Sequence, residues 1–116
     1  MAITKIPLSV STDGKPIVIT GSTNFVVHTT GTSSTIEDSI NLYVWNNSGL
    51  STTVKFYIGS TSVPDHSFTI TLASNTGITK VFGGYLLFGD GTTGRSIFIN
   101  TSSSSVSAFG YVNRIS

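Results

Sequence analysis

Two histidines and five carboxylates hold most of the acid–base and metal-binding capacity of this chain, because cysteine is absent. A zinc site needs three or four such ligands converging, and a general base needs an orienting partner and an open approach. His28 has no second ligand at metal spacing; His66 has Asp65 beside it, and Glu37-Asp38 precedes the longest alternating stretch. For both histidines the expectation is hydrogen bonding in loops and at strand edges. Gly89-Asp90-Gly91-Thr92-Thr93-Gly94 spells G-x-G-x-x-G. That fingerprint holds pyrophosphate only where a helix follows the glycines, and residues 95–100 read as a strand, so a hairpin loop is expected instead. The acidic residues mostly sit beside turn residues, where solvation alone places them, and no carboxylate pair for glycoside hydrolysis stands out. No nucleophile elbow, P-loop or calcium loop is present. Asn46-Asn47-Ser48 and Asn100-Thr101-Ser102 are formal glycosylation acceptors that read as turn markers. The chain therefore reads as a non-enzyme with no catalytic residues, no cofactor and no metal.

The elements that must position these groups are strands. Short segments rich in Val, Ile, Thr, Phe and Tyr fall at 16–20, 24–30, 38–46, 52–58, 66–72, 78–82, 85–88, 95–100 and 106–115, each bounded by Gly, Asn, Asp, Pro or Ser. No window of a dozen residues shows helical apolar spacing. The expectation is an all-β, single-domain antiparallel β-sandwich, with jelly-roll-like and immunoglobulin-like wirings both open. Residues 1–15 read as an extended N-terminal arm, with Ile3, Ile6 and Leu8 as apolar anchors and Pro7 barring a helix, and 16–116 as the sandwich domain. On this reading, loss of residues 1–8 leaves the sandwich folded. Gly31–Ile36 and Thr101–Ser105 read as the longer connections.

The stretch Ser39–Asn46 is the centre of the pattern. Ile40, Leu42 and Val44 point one way and Asn41, Tyr43 and Trp45 the other. Val54, Phe56 and Ile58, then Phe68, Ile70 and Leu72, then Val106, Ala108, Gly110 and Val112 form the other inward sets. Tyr43, Trp45, Tyr57, Phe98, Phe109 and Tyr111 are left on outer faces, which is more ring surface than a solitary small domain keeps in water. Together with Ile3, Ile6 and Leu8 they are the expected interface residues.

Composition narrows the partners. Ser and Thr number 37 and charged residues make up 9% of 116 residues, against about 25% in an ordinary soluble domain, so the surface is hydroxyl-rich and weakly charged. A net charge of +1 offers no electrostatic footprint for nucleic acid or an anionic membrane. The first ten residues lack the apolar h-region of a secretion signal, and no stretch approaches a membrane span, so the chain is expected to be made and kept in the cytosol unless something carries it out. A weakly charged β-rich chain is prone to edge-to-edge association, which ordered assembly would put to use.

Three passages resemble a family of short tailed-bacteriophage virion proteins: Ile6-Pro7-Leu8-Ser9 leading into Ser11-Thr12-Asp13-Gly14-Lys15-Pro16-Ile17, Leu42-Tyr43-Val44-Trp45-Asn46 before the hairpin into Val54–Gly59, and Gly110-Tyr111-Val112-Asn113-Arg114-Ile115. The resemblance implies a compact β-sandwich that assembles onto the particle, either as a head decoration (cement) protein or as a tail or fibre component. The lack of an extra domain or fibrous repeat favours the head. The resulting expectation is a subunit on the capsid exterior that binds the major capsid protein and itself, as a homotrimer. The alternative is a tail fibre or adhesin module that stacks host glycan on Trp45 and Tyr43.

Overall fold

A computed structural model describes residues 2–19, 24–59, 66–75, 77–102 and 106–116. Among the described residues, nine strands run β1 (Ile3–Pro7), β2 (Ile17–Val18), β3 (Phe25–Thr29), β4 (Glu37–Asn46), β5 (Thr52–Ile58), β6 (Ser67–Leu72), β7 (Thr79–Leu87), β8 (Ser96–Thr101) and β9 (Val106–Ile115). They form two antiparallel sheets. In the first, β1 and β2 share one edge of β9, followed by β4 and β7; the second is ordered β3, β8, β5, β6.

This order decides between the two wirings left open by the sequence. β5 pairs β6, β4 pairs β7, β3 pairs β8, and β1 with β2 pairs β9, so the antiparallel pairs nest around the connection between β5 and β6. One long hairpin is thus rolled so that alternate pairs fall in opposite sheets, which is the jelly roll. Further pairing of β4 with β9 and of β5 with β8 closes each sheet.

β4 is the most regular element. Its alternate residues Asp38, Ile40, Leu42, Val44 and Asn46 are buried, whereas those between are half-buried. Ile40, Leu42, Val44, Val54, Phe56, Ile97, Ile99, Val106, Ala108 and Val112 belong to the buried core, together with Leu8 and Ile19. The smallest dimension of the molecule, 20 Å, accommodates two sheets about 10 Å apart with side chains on both outer faces. Ile58 and Ile70 are half-buried and Phe68 reaches the rim, at the end of the inward set to which the alternation assigns them.

Four features differ from the sequence reading. The segments 78–82 and 85–88 are not two strands but one, Thr79–Leu87, because Gly83-Gly84 is a bulge and not a turn: Gly84 takes φ +90° and slips the register between Ile40 and Asn41. Part of the extended arm is a strand that the sequence reading did not assign, since β1 pairs all along the second half of β9. Leu8 is only 1% exposed, so it is a core side chain, and removing residues 1–8 would open a cavity in the core. Finally, the glycine loop at 89–94 joins strands of different sheets and is not a hairpin.

Candidate interaction surface

β4 and β9 lie side by side in a register that sets Tyr43 opposite Phe109, Trp45 opposite Ser107 and Asn41 opposite Tyr111. Odd-numbered positions of both strands face outward, so Tyr43, Trp45, Phe109 and Tyr111 gather on the outer face of the five-stranded sheet. Tyr43 stacks on Phe109 with centroids 5.2 Å apart, and Trp45 meets the same ring edge-on at 5.5 Å. The three rings are half-buried by one another, while Tyr111 stays 37% exposed beneath the Lys5 ammonium, 5.0 Å from its centroid. Stacked rings of this kind form a pre-set apolar surface that loses little side-chain entropy on contact.

The other expected rings are elsewhere. Tyr57 and Phe98 are register partners on the outer face of the second sheet, with Lys55 Nζ 5.1 Å above Tyr57. The six rings therefore make two patches on opposite sides, not one face. Ile3 stays on the outer side and is exposed, Ile6 turns inward against the core, and Leu8 is withdrawn from any interface by burial.

A third apolar feature lay hidden in the sequence. At the side where β6 and β7 end their sheets, core rings continue to the surface: Phe56 stacks on Phe68 at 4.9 Å, Phe68 meets Phe82, and Phe82 meets Tyr85 at 5.1 Å. Tyr85, Leu86 and Phe88 are exposed, and with Ile58 and Phe68 they line a cleft of about 520 Å³. The expectation of a turn at Gly83-Gly84 concealed it, because only a continuous β7 brings these residues to the rim.

The candidate chemical groups are engaged within the fold. In the glycine loop, Asp90 Oδ1 accepts hydrogen bonds from the Thr92 and Thr93 N–H groups at 2.9 and 2.6 Å, so the protein's own carboxylate fills the place a phosphate would need. These N–H groups hold the Asp90 carboxyl below its ordinary pKa. Asn46 is buried, donates to the Leu50 and Ala73 carbonyls, and accepts from Ser48 N–H, so it organises the loops at that end. His66 lies at the rim of the cleft, and Asp65 falls outside the described residues. Among the described residues, no three His, Cys, Asp or Glu side chains converge as a metal site.

His28, expected to hydrogen-bond in a loop or at a strand edge, instead meets Asp38 between the sheets. A bulge between Val26 and His28 on β3 turns both Val27 and His28 inward, and both are fully buried. His28 Nε2 is 2.8 Å from Asp38 Oδ2, and the Ser9 N–H donates to His28 Nδ1 at 3.0 Å. An amide N–H can only donate, so Nδ1 is unprotonated and Nε2 carries the ring proton. Arg114 completes the cluster with a two-pronged grip, Nε on Oδ1 at 2.7 Å and Nη2 on Oδ2 at 2.9 Å. Burial pushes the His28 pKa below 6.5 in spite of the adjacent carboxylate. Asp38 sits below its ordinary value, since the Arg114 and His28 donors outweigh the opposing and individually largest effect of burial; Arg114 is raised by the same bonds.

No family model, no curated protein and no solved structure matches this chain.

Proposed function

We propose that this protein is a structural subunit of a phage particle, a decoration protein that self-associates and binds the lattice of the major capsid protein from the capsid exterior. The observation that carries the reading is the outward row Tyr43–Phe109–Trp45, with Tyr43 and Trp45 each packed on the Phe109 ring, in a hydroxyl-rich and weakly charged chain. Interface hot spots are commonly aromatic, rigid and ringed by polar residues, and Lys5 and the β7 residue Lys80, opposite Tyr43, border this row. The resemblance of the three sequence passages to virion proteins supports the same reading. No chemical step is assigned, since the glycine loop is filled by Asp90 and the buried histidine has both nitrogens engaged.

Image reconstruction of particles from the source phage tests the proposal. The expected result is density for this chain on the capsomers, contacted through Trp45 and Phe109, and at least tenfold weaker binding of Trp45→Ser to undecorated heads. Density on tails alone would overturn it, as would binding of host surface polysaccharide that vanishes in Trp45→Ala while the fold is kept. The latter result would identify the row as a sugar platform.

A further inference from the structure

The cluster around His28 joins four parts of the chain, and its bonding leaves it one way to respond to acid. His28 comes from β3 in one sheet; Asp38 and Arg114 come from β4 and β9 in the other. Ser9 follows β1 and grips β3 twice, its N–H donating to His28 Nδ1 and its Oγ accepting from Thr29 N–H at 2.8 Å. On the remaining side, β8 presents Ile97 as the register partner of His28, so no further charge faces the ring from there. A carboxylate beside a histidine ordinarily favours the imidazolium. Here both Asp38 oxygens are already held by Arg114, so a second cation would give the buried group a net positive charge.

We propose that His28 is an acid-sensitive latch for the N-terminal edge strand. A proton taken from solvent onto Nδ1 converts the acceptor of the Ser9 N–H into a second donor, the two N–H groups oppose each other, and the Leu8–Ser9 segment must leave. The Nε2–H bond to Asp38 survives the same step, so the grip between the sheets is kept while the grip on β1 is lost. β1 is suited to separate on its own. It pairs with β9 on one side only, four of its five residues are exposed, and its anchors in the core are the half-buried Ile6 and, just beyond the strand, Leu8, adjacent to Ser9. Its release bares the edge of β9 from Tyr111 to Ile115. At neutral pH the latch is shut, because burial holds the ring neutral. This inference does not depend on the virion role.

Amide hydrogen exchange of the full chain between pH 7.5 and 5.0, corrected for intrinsic exchange rates, tests the latch. Protection of β1 is expected to fall about tenfold or more relative to β4, which stays protected. His28→Asn keeps a side-chain carbonyl for the Ser9 N–H but cannot titrate, and is expected to hold β1 protection constant over this range. Parallel loss in β1 and β4, or an unchanged acid response in His28→Asn, would overturn the proposal. Should the variant not fold, ¹⁵N ring shifts of His28 in the natural sequence decide: protonation must coincide with loss of the Ser9–His28 hydrogen bond. A ring still neutral when β1 opens, or a bond that outlives protonation, refutes the latch.

Discussion

At the scale of single residues, the buried Asp38 is the group on which most depends. Its carboxylate is stable between the sheets only because His28 and Arg114 donate three hydrogen bonds to it. Arg114→Met keeps most of the side-chain volume and removes the charge, which leaves an uncompensated carboxylate and costs about 3 kcal/mol at pH 8, read by urea unfolding. The freed carboxylate then favours protonated His28, so the cost is expected to shrink at pH 5.5. In the natural protein the sign is opposite. The folded His28 binds its proton less readily than the unfolded one, so stability is full above pH 6.5 and declines as pH falls through that value. A second decline follows at lower pH as Asp38, whose folded pKa is depressed, is protonated. Part of this cluster was legible: Asp38 shares the inward parity of Ile40, Leu42 and Val44, and Arg114 that of Val112, so both had to find partners inside. The bulge that turns His28 inward gives no sign in the run Phe25-Val26-Val27-His28, and without it the partner could not be named.

At the scale of elements, β4 and β9 make the longest pairing in the molecule, ten residues from Glu37↔Ile115 to Asn46↔Val106. Gly110 is required for it. A methyl group there would run into the Asn41 carbonyl and the Leu42 backbone of the neighbouring strand, and backbone cannot step aside as a side-chain tip can. Gly110→Ala is expected to cost about 3 kcal/mol, by analogy with overpacked cores. Gly31→Ala, where a Cβ meets open space, serves as the near-neutral control in the same thermal melts. Period-two alternation correctly assigned the faces of β4, β5 and β9, because every second position of β4 is buried and most of those in β5 and β9 are, with Ile58, Gly110 and Arg114 half-buried. It failed at β7, since a Gly-Gly pair reads equally as a turn or a bulge. It also missed β1, where four exposed residues of five leave no alternation to read, and only the pairing with β9 reveals the strand.

At the scale of the whole molecule, the nested pairing means that nearly every sheet contact joins distant parts of the chain. Only the innermost pair, β5 with β6, is close in sequence. Loop closure must therefore precede most of the stabilising contacts, and refolding from urea is expected on a millisecond-to-second scale. Stopped-flow fluorescence of Trp45 measures it directly, and a microsecond phase accounting for the full amplitude would contradict this picture. The fold class was readable from strand spacing. The wiring was not, because immunoglobulin-like and jelly-roll orders use the same strands with the same alternation and differ only in which ends meet.

Rings stand on both broad sides of this plate, Tyr43, Trp45 and Phe109 on one and Tyr57 with Phe98 on the other, separated by a body 20 Å thick. A subunit gripped on one flank still offers a second flank facing away from it. On the proposed assembly role such a molecule is two-valent: it would serve as a spacer between two bodies as readily as a cap on one, and the second attachment would bring no crowding at the first.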